Sequence, residues 1–125
     1  FDLFHIGHLN IIKKCINFNN GRNKVIVGVS SDEFNLAKKN KIPIIPLNDR
    51  IEIIKNIKGV HDVFVEESLE KKREYCLKYN ANVLIMGDDH IGRFDYLKNY
   101  SIDVVYVERT ANISTTEIIV KINDT

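Results

Sequence analysis

The chain has 125 residues, of which 44% are hydrophobic and 28% charged, with a formal net charge of +1, six Gly, two Pro and two Cys. That length fits one compact domain, and the composition is that of a soluble globular protein, not of a disordered, collagen-like or strongly cationic nucleic-acid-binding chain. No stretch approaches the roughly 20 apolar residues that cross a bilayer, and no basic leader with an apolar run opens the chain, so the expectation is a cytoplasmic protein with neither membrane nor nucleic-acid partners. Cys15 and Cys76 stand far apart without metal-ligand spacing; both read as apolar fillers, and neither a disulfide nor a zinc site is expected.

In chain order, Leu9, Ile12 and Ile16 recur at helical spacing, which predicts a helix starting near His5 to His8 and stopped by Asn19-Asn20-Gly21. Lys24 to Val29 is a β-branched run, followed by Ser30-Ser31-Asp32, which can cap a short helix through Phe34 and Leu36. Lys38 to Leu47 holds both prolines and three lysines and reads as a loop. Asn48 then predicts the cap of a helix over Arg50 to Lys58, ended by Gly59.

Asp62 to Val65 reads as a strand, and Ser68 as the cap of a helix reaching about Tyr79. A third strand follows at Asn82 to Met86, a short helix around Phe94 to Lys98 and a fourth strand at Asp103 to Val107. Ser114-Thr115-Thr116-Glu117 matches a capping box at the head of the last helix. Alternating strands and helices predict parallel strands, right-handed crossovers and an α/β, Rossmann-like doubly wound sheet with helices on both faces, forming one domain over residues 1–125. The only methionine is Met86 and the chain opens at Phe1-Asp2 with no strand ahead of its first helix. The expectation is therefore a truncated sequence whose missing first strand, about 5–10 residues, would be central in the sheet.

Ligands of such sheets bind outside the carboxyl ends of the strands, and the polar clusters of this chain fall there. His5-Ile6-Gly7-His8 places two histidines on one face of a first turn, with a glycine that lets a ligand near the backbone and a helix N-terminus whose N–H groups suit phosphate. Arg109-Thr110 and Ser114-Thr115-Thr116 add a guanidinium, hydroxyls and a second helix start, a set able to grip a polyphosphate or simply to cap a helix. Gly87-Asp88-Asp89 could face a metal-bound phosphate or the hydroxyls of a polyol, or form a plain turn. Lys38, Lys39 and Lys41 could close over an anion or be a solvated face.

Phe1-Asp2-Leu3-Phe4-His5-Ile6-Gly7-His8 resembles the end of the G-T-F-D-x-x-H-x-G-H signature of the nucleotidyltransferase superfamily related to class I aminoacyl-tRNA synthetases. Arg109 to Thr116 resembles the R-T-x-G-I-S-T-[ST] signature of its cytidylyltransferase branch, with Asn112 in place of the glycine. Ser31 to Leu36 and Met86 to Asp95 are similar to segments of the glycerol-3-phosphate cytidylyltransferases, although Ile6 and His90 stand where those enzymes often carry Trp. The resemblance implies transfer of CMP from CTP to glycerol 3-phosphate by a homodimer, with Mg²⁺ accompanying CTP and no metal-ligating side chain assigned. Other cytidylyltransferase acceptors, namely phosphoethanolamine, phosphocholine or another polyol phosphate, and a non-catalytic nucleotide-binding module are the alternatives.

By the same resemblance, His5, His8, Lys38, Arg50 and Arg109 are the expected catalytic residues. Asp2, Gly7, His8, Asp89, Arg109, Thr110, Ile113, Ser114, Thr115 and Thr116 are the expected nucleotide-site residues, Asp2 and Asp89 matching acidic positions at the nucleotide and acceptor ends of the cleft. Lys38 and Lys72 match lysines that meet the incoming phosphorylated substrate.

Overall fold

The structure is a computed structural model that describes residues 1–39, 43–111 and 113–124, with 37–39 described by their backbone alone. In chain order the elements are α1 (Ile6–Asn17), β1 (Val25–Ser30), α2 (Asp32–Lys39), α3 (Leu47–Lys55), β2 (Val60–Glu66), α4 (Lys72–Lys78), β3 (Val83–Gly87), β4 (Asp103–Val107) and α5 (Thr115–Asn123), with short 3₁₀ turns between some of them. The chain divides into two compact units: Phe1–Glu67 with Thr110–Thr125, and Ser68–Arg109. Both ladders are parallel, β1 on β2 and β3 on β4, as the alternation of helix and strand predicts. Among the described residues they form two sheets of two strands instead of one continuous sheet. No described helix is long and apolar enough to cross a membrane.

In the first unit the core gathers Ile12, Val25, Val27, Val29 and Ile54, each full burial of such a side chain contributing about 1.5–3 kcal/mol. α1 ends as its sequence predicts: Asn19, Asn20 and Gly21 take φ of 52°, 59° and 76°, a left-handed run that Asn and Gly tolerate and most residues do not. Asn23 Nδ2 then donates to the carbonyls of Cys15 and Phe18, satisfying the helix end. Cys15 is half-buried, and burial pushes its thiol up to about 11, so it stays protonated and inert near neutrality.

Ser31 joins β1 to α2: its N–H extends the ladder to Glu66 O and its hydroxyl accepts from Phe34 N, the expected cap. α2 runs on to Lys39, into the stretch expected as loop, while Asn40 and Lys41 lie outside the described residues. Both ends of α3 also differ from expectation. α3 begins at Leu47 with Pro46 at the N-cap, not at Asn48, and it ends at Lys55 where Asn56 Nδ2 bonds back to Glu52 O. Pro46 brings an extended ψ of 155° and its carbonyl accepts from Arg50 N, so the helix starts directly after the proline.

The second unit packs Cys76, Phe94, Leu97 and Ile102 as its core. Its helix is shorter than predicted because Ser68 Oγ accepts from Glu70 N in a local turn, leaving Lys71 at the N-cap of α4. β4 coincides with its predicted span, and the short helix after β3 is a 3₁₀ run over Asp95–Tyr100 ended by Ser101 at φ 60°.

Gly28 sits opposite Phe64 in the β1–β2 ladder, where an added Cβ would lie 2.7 Å from the ring's Cζ. Gly28→Ala should therefore lower stability by about 1–3 kcal/mol, read as a fall in Tm; an unchanged Tm would show that the ring shifts without cost.

Candidate active site

The site in the first unit begins with a turn that strains the backbone. Leu3 takes φ 45°, which for a Leu costs about 1–2 kcal/mol, and the chain then enters α1 with His5 at the N-cap in extended geometry. Two imidazoles perform the capping that Ser and Glu usually share. His5 Nδ1 accepts from Gly7 N at 3.0 Å, and His8 Nδ1 accepts from His5 N at 3.3 Å. An Nδ1 that accepts an N–H carries no proton, so each neutral ring keeps its proton on Nε2. The rings stack at 3.8 Å with an interplanar angle of 21°.

Aromatic and apolar groups hold the stack in place. Phe1 and Phe4 lie 5.1 and 5.5 Å from the His8 ring. A Cβ on Gly7 would come within 2.8 Å of His5 Cε1, 3.0 Å of His5 Nδ1 and 3.5 Å of Ile113 Cγ2, so the glycine is the space that lets the His5 ring fold over its own helix start. Burial, the first cause, lowers the His5 pKa below its ordinary value, against an opposing pull from Glu117. His5 is therefore neutral at physiological pH, as its hydrogen bond requires.

The start of α5 meets the start of α1 in the same unit. Ser114 Oγ caps α5 by accepting from Glu117 N at 3.0 Å, and Thr115 Oγ1 donates to Asp2 O at 2.8 Å. Asn10 Nδ2, one turn into α1, donates to Thr110 Oγ1 at 2.9 Å. Asp2, His5, Gly7, His8, Thr110, Ile113, Ser114 and Thr115 are thus brought together through two helix N-termini, the arrangement that favours anions. Asn10 and Glu117 belong to this cluster: no motif singled out the first, which reads as one polar residue on a helix face, and the second was marked only as the far end of a capping box. Thr116 is exposed.

Asp2 has a second task. Its carboxylate accepts from Ile44 N at 2.9 Å and Ile45 N at 2.8 Å. Arg50 holds the same segment from the other side, donating to Ile45 O at 2.9 Å, Ser30 O at 2.7 Å and Asp32 Oδ1 at 2.6 Å while only 1% exposed. Arg50, expected as a catalytic group, is found buried, its guanidinium bonded to the end of β1 and the entry to α3.

The remaining expected residues sit elsewhere. Lys38 lies in α2 with its side chain outside the described residues, and Asn112 is outside them altogether. In the second unit, Arg109 is exposed, Asp89 is exposed in a 3₁₀ turn after β3, and Lys72 is buried with its ammonium 5.4 Å from the centre of the Phe94 ring. An open cavity of about 570 Å³ in that unit is lined by Glu70, Arg73, Glu74, Arg93 and Phe94 among others. Among the described residues no group of three or more His, Cys, Asp or Glu side chains converges as a metal site.

A family model described as Cytidylyltransferase-like matches residues 1–121. The chain is 39% identical to the glycerol-3-phosphate cytidylyltransferase of Bacillus spizizenii, over 94% of this chain and 88% of that one. It is 33% identical to the protein of the same name in Staphylococcus aureus, over 94% and 86%. The fold is similar to the crystal structure of the lipopolysaccharide core biosynthesis protein from Thermoplasma volcanium, with a TM-score of 0.66 at 21% identity, covering 88% of this chain and 89% of that one.

Gly7→Ala separates stability from function. Alanine is the better helix former by about 1 kcal/mol, which offsets the loss of about 1 kcal/mol when its Cβ pushes the capping His5 ring off the helix start, so Tm should hold while the displaced ring lowers turnover at least tenfold. Equal losses of Tm and turnover would show that Gly7 serves the fold alone.

Proposed function

This chain belongs to the cytidylyltransferase-like family, and on that premise we propose that it transfers CMP from CTP to glycerol 3-phosphate, giving CDP-glycerol and pyrophosphate. The observation that carries the reading is the stacked pair of capping imidazoles at the start of α1, in a chain whose relatives bear that enzyme's name along nearly all of its length.

An oxygen of the acceptor phosphate attacks the α-phosphorus of CTP in line. A new P–O bond forms as the bond to the β-phosphate oxygen breaks and pyrophosphate leaves with the electron pair. A phosphate monoester is already anionic near neutral pH, so no general base is needed. The protein's work is to position two anions and to offset the charge that builds on the transferring group and the leaving group. The Nε2–H groups of His5 and His8 donate to those oxygens, and the N-termini of α1 and α5 add positive potential. Thr110, Ser114 and Thr115, on the same unit as the imidazoles, shape the start of α5 around the triphosphate. Mg²⁺ would accompany CTP and offset charge on its phosphates, the oxygen-rich company that this ion prefers.

Pyrophosphate release measured with CTP or ATP against glycerol 3-phosphate, phosphoethanolamine and phosphocholine tests the reading. CTP with glycerol 3-phosphate should be the productive pair. A preference for another acceptor would replace the substrate, and CTP binding without pyrophosphate release would make the chain a binding module.

Two variants test the histidines. His8→Ala should lower kcat by about 10²–10³-fold, the cost of one lost transition-state donor, with a much smaller change in CTP affinity. Because Asn is a preferred N-cap, His5→Asn should keep Tm while losing turnover; full activity in either folded variant would contradict the assignment.

A further inference from the structure

The turn after β3 contains a second histidine arrangement that the reaction as described does not use. Residues 88–93 are held by their own backbone, Ile91 N to Asp88 O at 3.3 Å and Arg93 N to His90 O at 2.9 Å, with Gly92 at φ 81°. The turn is anchored at its end by Phe94, which is 2% exposed and whose N–H donates to Tyr106 OH. His90 lies against this anchor, its ring 5.9 Å from that of Phe94, and its side chain is 21% exposed.

The two ring nitrogens of His90 face groups of opposite charge. Nδ1 is 3.2 Å from Arg93 Nη1, and Nε2 is 3.6 Å from Asp89 Oδ2. A guanidinium can only donate, so Nδ1 is the acceptor and the ring proton sits on Nε2, toward the carboxylate. The other carboxylate oxygen, Asp89 Oδ1, lies 2.8 Å from where a Cβ on Gly87 would stand, so it occupies space that only glycine leaves. Asp89 itself has 73% of its side chain exposed. An exposed carboxylate would ordinarily sample several rotamers; here glycine makes room for one position and a histidine, oriented by arginine, faces it.

We propose that His90 is a positioning residue, fixed as its Nε2–H tautomer by Arg93, and that it holds the Asp89 carboxylate in the orientation that accepts hydrogen bonds from the hydroxyl groups of the phosphorylated polyol acceptor. The inference rests on the reading of the chain as a glycerol-3-phosphate cytidylyltransferase. It follows the placement of polar groups at the carboxyl end of β3, where α/β sheets bind ligands. Arg93, His90 and Asp89 form a line in which a fixed positive charge selects the tautomer and the tautomer orients the negative one, a supporting arrangement of the kind that locks contact residues in place.

Steady-state kinetics on the full chain, with glycerol 3-phosphate and CTP varied separately, test it. His90→Phe keeps a ring against Phe94 and removes both nitrogens. It should raise the KM for glycerol 3-phosphate roughly two- to tenfold, the range of one ordinary hydrogen bond, with the KM for CTP unchanged. His90→Gln, whose amide places a donor near the Nε2 position and an acceptor for Arg93, should restore most of the loss. In an Asp89→Ala background, His90→Phe should have no further effect.

Equal changes in both KM values, or additive effects of His90→Phe and Asp89→Ala, would overturn the inference while wild-type synthesis of CDP-glycerol left the functional reading intact. Absence of that synthesis in the wild type would overturn the reading. The acceptor role of Asp89 would fall with it, and imidazole ¹⁵N NMR of His90 in the wild type and in Arg93→Ala tests the positioning step by itself: the Nε2–H tautomer, lost with Arg93, supports that step, and an Nδ1–H ring in the wild type overturns it.

Discussion

An imidazole that accepts a backbone N–H at Nδ1 has one place left for its proton. His5 and His8 both meet this condition at the first turn of α1, and the chemistry of the site depends on it. The hydrogen bonds that a helix start must find are supplied by the two imidazoles themselves, so folding α1 and setting two tautomers are one event. A protonated His5 would lose its acceptor and leave Gly7 N without its partner. Burial, by lowering the pKa of His5, protects the arrangement at the pH where it must work.

A second layer of contacts keeps this helix start in register with its surroundings. Asp2 lies just before the strained Leu3, gives its carbonyl to Thr115 at the head of α5 and its carboxylate to the peptide N–H groups of Ile44 and Ile45. Arg50 grips the carbonyl of Ile45 and is balanced by Asp32. One short peptide segment is therefore held at its N–H side by an acid and at its C=O side by a base. Removing Arg50 would leave the half-buried carbonyls of Ser30 and Ile45 without their donor, a loss of about 1–3 kcal/mol for each group, whereas the N–H of exposed Ile44 can turn to water when Asp2 is lost. The strain at Leu3 persists because these contacts over-determine the turn.

The elements with strong local chemistry were legible in the sequence. Asp103 to Val107 is β-branched and bounded by polar residues, Asn19-Asn20-Gly21 supplies three residues tolerant of positive φ, and Ser114 precedes an apolar helix with a glutamate three residues on. Boundaries decided by competition between neighbours were not. Pro46 took the cap from Asn48, and Ser68 spent its oxygen two residues ahead of the helix it was expected to start. The two histidines were legible as a phosphate-binding pair; their role as helix caps was not, because His is an uncommon cap and only the ring geometry reveals it. Asn10 carried no signal, since a polar residue on an amphipathic helix is unremarkable until its partner, 100 residues away, is known.

The most direct test of the account is imidazole ¹⁵N NMR of His5 and His8 in the free protein, followed as a function of pH. At pH 7.5 both rings should show a protonated Nε2 and an unprotonated Nδ1, and His5 should titrate below its ordinary value of 6.5. A ring carrying its proton on Nδ1, or a His5 midpoint above that value, would contradict the claim that the helix cap sets the chemistry of the site.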